Sequence, residues 1–411
     1  VRAALNRFAR QSTTEPTLRR RVLLFTNSVA LGGMEEHVRL IARYLDREQF
    51  EVFTITPDWE PTRAFSEMME RESDQSTTLT PDARAGRLRQ FREALRLYRQ
   101  VRAWRPDVAH LHCTTFVGQG LAIMAIRLAG VPSVYVTEHL APDGRVPVFR
   151  RVVRNALTRC FTGVVCVSEK NQASRAAWLY TPADRTVVVE NGVDVEQFDT
   201  VPADELDALR ETIGLPRDAR VVGTAVRFEP EKGLDDLIAA FAMVSARFED
   251  VHLLLVGDGS LRAELEAQTA ALGLAPRTHF VGFQKAPRPF LGLIDVFVLP
   301  VPFGSMSIGL LEAMAMRCVP VMTFGGEGEA VVHGVSGFCA EPRNPASIAR
   351  FVDEVLSDRV GAKEMGEAAR RRVEETFSAR RVARLLGRLY VDGPRELLAS
   401  ERPMPVAVGP R

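Results

Sequence analysis

Residues 226–233 run Val226-Arg227-Phe228-Glu229-Pro230-Glu231-Lys232-Gly233, and residues 312–315 run Glu312-Ala313-Met314-Ala315. The first stretch follows an apolar run from Val221 to Val226 and precedes an amphipathic helix, so its two cations share one turn between a buried strand and a helix start. Two positive charges in that position can neutralise a diphosphate and hold it as a leaving group. The second stretch sets a carboxylate one turn into a helix, able to accept two hydroxyls of a ribose. An Arg/Lys pair on a surface turn is by itself ordinary solvated charge. The order of the two stretches, with the matches around them, carries the information.

Outward from there, short apolar runs alternate with amphipathic stretches, the pattern of parallel sheets covered by helices. The first half offers strands at Val22–Thr26, Glu51–Ile55, Val108–His112, Ser133–Thr137, Val164–Val167 and Val187–Val189. The second offers Val221–Ala225, His252–Val256, His279–Gly282, Val296–Pro300, Pro320–Phe324 and Gly337–Cys339. Glu35–Leu45, Leu234–Phe248, Leu261–Leu272 and Ile348–Leu356 are expected helices among those between them. The expected division is a flexible tail at 1–20, a first α/β domain at 21–195, a linker at 196–218 and a second α/β domain at 219–375. A helix at 376–392 is expected to pack back on the first domain, before a proline-rich disordered end at 393–411. In open α/β sheets ligands sit at the carboxyl ends of strands, so the cleft between the halves is the expected site.

A chain of 411 residues exceeds what one core organises, which supports two domains. With 46% hydrophobic and 26% charged residues it has the composition of a globular protein rather than a disordered one. Cys113, Cys160, Cys166, Cys318 and Cys339 form no CxxC pair and no Cys/His group at zinc spacing, so reduced thiols and a cytoplasmic location are expected. The most apolar window, Phe116 to Val136, is broken by Arg127 and Gly130-Val131-Pro132 and is no membrane span.

Charge is unevenly spread. Residues 1–200 carry 28 Lys+Arg against 23 Asp+Glu, and 14 arginines between Arg84 and Arg159 face four acids. A basic half points to an anionic partner. Arginines interleave with Leu88, Phe91, Leu95, Tyr98, Val101 and Trp104 at helical intervals, and again with apolar residues from Val146 to Cys160. Such helices either lie on an anionic membrane or present a solvated face. No RNA- or DNA-binding module accompanies the charge, so nucleic acid is not an expected partner.

Further motifs complete the pattern. Ser28 to Glu36 contains the pair Gly32-Gly33 at a strand-to-helix junction, which lets backbone N–H groups approach a ligand. Val136-Thr137-Glu138-His139 ends a strand, and Glu190-Asn191-Gly192-Val193-Asp194 forms a turn before the linker. Leu255-Val256-Gly257-Asp258-Gly259 follows an apolar strand without GxGxxG spacing. Gly325 to Ala330 is a last glycine-rich segment.

On these motifs, from about Val22 to Leu389, the chain resembles the family 4 retaining glycosyltransferases. The resemblance implies the GT-B fold, two Rossmann-like doubly wound domains with an interdomain cleft. It implies transfer of a sugar from a nucleotide-diphosphate sugar to a hydroxyl of a saccharide, glycolipid or small molecule, as in polysaccharide or glycoconjugate biosynthesis. The nucleotide sugar is a substrate, and no cofactor or metal is expected, because Arg227 and Lys232 take the place of a cation. The implied catalytic groups are His139, Arg227, Lys232 and Glu312. The donor side adds Gly33, Gly257, Asp258, Gly259, Val281, Gly304, Ser305, Met306, Ser307 and Ile308; the acceptor side takes Gly32, Gly33 and Glu138. Glu138 either steadies the imidazole or meets acceptor hydroxyls, and Glu329 matches a further acid beside the nucleotide.

Two departures stand out. The family carries a glutamate where this chain has Gly304, and a glycine where it has Arg317. A lost charge-assisted hydrogen bond is worth about 1.5–3 kcal/mol, roughly one to two powers of ten in rate. A nucleotide-binding, catalytically weak GT-B subunit and a GT-B nucleotide-sugar epimerase are therefore the alternatives.

Overall fold

The computed structural model describes residues 18–26, 32–79, 86–114, 119–140, 146–301, 307–323 and 330–400. Among them thirteen strands build two sheets. The first contains β1 (Arg20–Thr26), β2 (Phe50–Thr56), β3 (Gln75–Thr78), β4 (Val108–Cys113), β5 (Ser133–Glu138), β6 (Gly163–Cys166) and β7 (Thr186–Val188), in the order β3-β2-β1-β4-β5-β6-β7. The second contains β8 (Arg220–Ala225), β9 (Val251–Val256), β10 (Thr278–Gly282), β11 (Val296–Leu299), β12 (Val319–Thr323) and β13 (Phe338–Ala340), in the order β10-β9-β8-β11-β12-β13. Neighbouring strands pair in parallel throughout both sheets.

Parallel strands covered on both faces need apolar side chains on both, which is why β9 reads Val-His-Leu-Leu-Leu-Val and is buried at all six positions. Each sheet accordingly has a core on either side. Strand order reverses between β1 and β4 and between β8 and β11, so the crevices that open at those carboxyl ends are the natural ligand sites.

The chain crosses between the domains twice, and the crossings touch. Val193 N–H donates to Phe377 O at 2.9 Å, and Ala379 N–H donates back to Val193 O at 2.9 Å. Gly192 is required here, because a Cβ would lie 3.0 Å from Ala379 Cα. Beyond this point the helix Ala379–Asp392 lies on the first sheet. Leu386, Leu389 and Tyr390 enter that core, and the Tyr135 hydroxyl donates to Leu389 O at 2.9 Å.

One strand was not expected, and two expectations are corrected. The strand Gln75–Thr78 was invisible to hydrophobic patterning because it is a polar edge strand, held by parallel pairing and by Thr54 Oγ1 donating to Ser76 Oγ at 2.9 Å. The segment 196–218 is no plain linker: it contains the helix Ala203–Ile213, whose Leu206, Leu209 and Ile213 pack on the second core. The end at 393–411 is not disordered from its first residue. Gly393, at φ 85°, stops one helix and Pro394 starts another, Pro394–Ser400, which buries Leu397 and ties Arg395 to Asp184 at 2.7 Å. No described helix is long and apolar enough to cross a membrane.

Candidate active site

The turn after β8 is built by close backbone contact. Phe228 N–H donates to Asp258 O at 2.9 Å, and Leu261 N–H donates to Phe228 O at 3.0 Å. A Cβ on Gly257, at φ 143°, would lie 1.9 Å from Val226 O, and one on Gly259 would lie 2.5 Å from Phe228 O. These glycines let two loops interlock, which is the role their spacing hides. Glu229 tightens the joint by accepting from the Ser260 hydroxyl at 2.7 Å, and Asp258 accepts from Gly259 N–H at 2.8 Å and Arg262 at 3.3 Å. The turn thereby holds Arg227 exposed, 3.4 Å from Glu231, and Lys232 half-buried before Gly233. Burial, then the charge of Arg227, draws the Lys232 ammonium below its ordinary value.

The helix Ile308–Ala315 points its N-terminus at the same place, with Ser307 as its cap residue. Gly309 makes this possible, since a Cβ there would lie 2.8 Å from Ala225 O at the end of β8. Across the cleft, Gly33 opens the helix Gly33–Tyr44 of the first domain, and a Cβ on it would lie 3.4 Å from Ile308 Cδ1. Two helix N-termini therefore converge from opposite domains, a field that favours an anion between them. Glu312, one turn into its helix, is partly buried. Desolvation, then the charge of Glu36 across the cleft, pushes its carboxyl up to about 8. Glu36 is held in place by Arg39 at 2.6 Å and 2.8 Å.

One turn below Gly33 the first-domain helix carries His37, whose ring centroid is 5.3 Å from that of His139. His139 follows β5, is 7% exposed, and its backbone N–H donates to Cys113 O at 2.9 Å. Burial, with His37 and His110 nearby, drops its pKa well below the usual 6.5, so the ring is a neutral dipole at physiological pH rather than a cation. His112, on β4, lies against both His37 and His139.

Glu138 does not face an acceptor. It is 2% exposed, and its carboxylate accepts from Arg154 through one oxygen and from Arg175 at 2.5 Å through the other. Both arginines are buried, and Arg175 also donates to the Thr158 hydroxyl at 3.1 Å. The side chain alternates down from the strand into the domain, opposite to what an acceptor contact needs, and the acceptor assignment is withdrawn. Gly32, Gly33 and Val281 lie at the carboxyl ends of their sheets. Gly304, Ser305, Met306 and Glu329 lie outside the described residues. Arg317 adopts φ 67°, the left-handed conformation that a glycine takes freely, and is held there by Asp199 at 3.1 Å and Glu367 at 3.0 Å.

Two parallel α/β domains facing each other across a cleft define the GT-B fold of glycosyltransferases. Family models agree: Glycosyltransferase Family 4 matches residues 31–197 and Glycosyl transferases group 1 matches 206–372. An uncharacterised glycosyltransferase of Methanocaldococcus jannaschii is 30% identical over 69% of this chain and 75% of its own. A GDP-mannose-dependent phosphatidylinositol monomannoside mannosyltransferase of Mycobacterium tuberculosis is 28% identical over 85% of this chain and 92% of its own. The crystal structure of Anabaena HepE with UDP and glucose superposes with a TM-score of 0.78 at 22% identity, over 91% of this chain and all of that one. This chain belongs to glycosyltransferase family 4.

Proposed function

We propose that the chain is a retaining hexosyltransferase that moves a sugar from a nucleotide diphosphate to a hydroxyl without a metal ion or other cofactor. The observation that carries this is that the helix Ile308–Ala315, which bears Glu312, starts against Ala225 O at the end of the strand that leads into the Arg227/Lys232 turn. The C1–O bond to the diphosphate breaks, the acceptor oxygen bonds C1 on the same face, and the acceptor proton passes to the departing phosphate oxygen. Arg227 and Lys232 stabilise the charge left on the diphosphate, Glu312 accepts the ribose hydroxyls, and neutral His139 hydrogen-bonds to the sugar. Of the proteins named above, the mycobacterial one is GDP-mannose-dependent and acts on a phosphatidylinositol monomannoside, and HepE was crystallised with UDP and glucose, so a glycan or glycolipid acceptor is the reading favoured here. The test is calorimetry with UDP-, GDP- and ADP-sugars, followed by donor turnover with and without acceptors. Binding without turnover in any acceptor mixture would favour the weak subunit, and conversion of the free nucleotide sugar the epimerase.

Glu312 makes its own prediction. Its carboxyl is raised to about 8 from 4.5, so between those values the empty folded protein holds a proton that the unfolded chain has released. Stability from this group therefore falls as pH rises through that window. A ribose donating two hydroxyls favours the ionised form, so nucleotide binding at neutral pH expels the proton. Calorimetry in buffers of different ionisation enthalpy should show net proton release in the wild type and none in Glu312→Gln. The same release in both would remove Glu312 from the ribose site.

The acceptor side has a surface to match a lipid. Leu88 (90% exposed), Phe91, Phe149 (78% exposed) and Val152 project from helices Arg87–Trp104 and Val148–Thr158, among exposed Arg89, Arg92, Arg150 and Arg151. Apolar side chains between cations suit an anionic bilayer, each cation contributing about 1 kcal/mol near the surface. We expect co-sedimentation with phosphatidylglycerol vesicles that weakens with salt and falls about tenfold or more in Phe149→Asp/Val152→Asp. Salt-independent or absent binding would leave the face simply solvated.

A further inference from the structure

His37, His112 and His139 come from a helix and two strands, 75 and 27 residues apart, and all three are buried. One nitrogen from each lies within 4.8 Å of the others. His112 Nδ1 is 3.4 Å from His139 Nε2. Two nitrogens on a tetrahedral zinc ion, each about 2.0–2.1 Å from the metal, stand about 3.4 Å apart. The third needs to move on the order of 1 Å, within reach of ring rotation about the broad terminal torsion of histidine.

The cluster is not a finished hydrogen-bond network. Neighbouring His110 shows what one looks like, with Nδ1 2.6 Å from the Tyr390 hydroxyl and Nε2 2.8 Å from Thr137 Oγ1. Among the described residues His112, 1% exposed, has only another imidazole near Nδ1, the nitrogen turned towards His139. Two neutral imidazole nitrogens at 3.4 Å make a poor hydrogen bond, and a cation between them would use both lone pairs. The chemistry of the set is specific: imidazole suits zinc, copper and nickel, whereas magnesium and calcium want oxygen.

We propose that His37, His112 and His139 form a three-imidazole site for a divalent transition cation, zinc fitting best, and that filling it withdraws His139 from the sugar and arrests transfer. A cation bound there needs one further ligand, which solvent entering past His139 from the cleft supplies. The inhibitory half rests on the role proposed above for His139; the binding half does not.

The test uses the whole chain without nucleotide. Zinc is titrated against a chromophoric chelator, and cobalt(II) is added to read its visible ligand-field bands. One equivalent should bind to the wild type, with the band intensity of a tetrahedral site. Affinity should fall more than 100-fold in His37→Asn and separately in His112→Asn, beyond the 10–100-fold that losing an outer partner costs. His252→Asn is the control, because His252 and His279 are an imidazole pair in the second domain, with ring nitrogens 3.0 Å apart. Zinc lost only in the control variant, no stoichiometric binding, or octahedral cobalt bands would overturn the site. Should His112→Asn misfold by circular dichroism, His37→Asn, on the helix Gly33–Tyr44 rather than in the sheet, decides alone. If zinc binds but turnover is unaffected and unrestored by chelation, the inhibitory half fails. If turnover is never seen, the transferase reading fails while the cobalt spectrum still decides the site.

Discussion

Lys232→Ala should lower kcat by on the order of 10³, and Arg227→Ala by about 10², with smaller changes in KM. Both cations are to meet charge that grows on the diphosphate as the sugar leaves, so their interaction is stronger in the transition state than in the bound donor. Burial decides which matters more. Lys232 is half-buried and Arg227 exposed beside Glu231, so water screens the arginine and not the lysine. The ammonium is already drawn below its ordinary value by desolvation and by Arg227, which means the empty site favours an incoming anion. Steady-state kinetics over donor concentration measure the split. Losses confined to KM would mean that the pair only binds nucleotide, and Glu231→Ala, which frees Arg227 without removing it, should leave kcat within about threefold.

The fold was legible because its signal is local. Buried parallel strands such as Val251–Val256 and Val296–Leu299 have no polar face, and each alternates with a helix of amphipathic period. The edge strand Gln75–Thr78 has neither property, and its place is set by the register of β2, which no window of sequence contains. The site divides the same way. Arg227, Lys232 and Glu312 stand on continuous motifs and are readable from sequence. The grouping of His37, His112 and His139 is not, because it is assembled from three elements and no spacing rule joins them. The one local clue was His110-Leu-His112, two imidazoles on one face of a strand, with ring centroids 4.1 Å apart. Gly309 was missed for a similar reason: its need arises only where its helix meets Ala225 O. The resemblance offered Glu138 either the imidazole of His139 or the acceptor, and its carboxylate instead meets Arg154 and Arg175. Alternation along a strand sends adjacent side chains to opposite sides, and that rule applied to this pair would have placed Glu138 inside.

Inside, Glu138 supports the second large expectation. Arg154 and Arg175 share the one buried carboxylate of Glu138. Removing the carboxylate leaves two buried guanidinium groups without their shared counter-ion; removing Arg175 leaves Glu138 paired with Arg154. Glu138→Gln should therefore destabilise the first domain by about 3–5 kcal/mol, the range for breaking a buried ion pair. Arg175→Met should cost less, under about 2 kcal/mol, since an apolar side chain of similar volume replaces one ion and its partner keeps Arg154. Simple contact counting predicts the reverse, because Arg175 also serves Thr158. Denaturant unfolding followed by tryptophan fluorescence separates the two, as all three tryptophans, Trp59, Trp104 and Trp178, lie in the first domain. Equal or inverted losses would show that geometry around Thr158, and not the shared carboxylate, governs this part of the domain. Because Asn171 Nδ2 also donates to Glu138 O at 3.4 Å, loosening the triad frees the peptide that leads into His139. At temperatures where Glu138→Gln is still folded, its kcat should fall and its KM for the donor should stay near wild type.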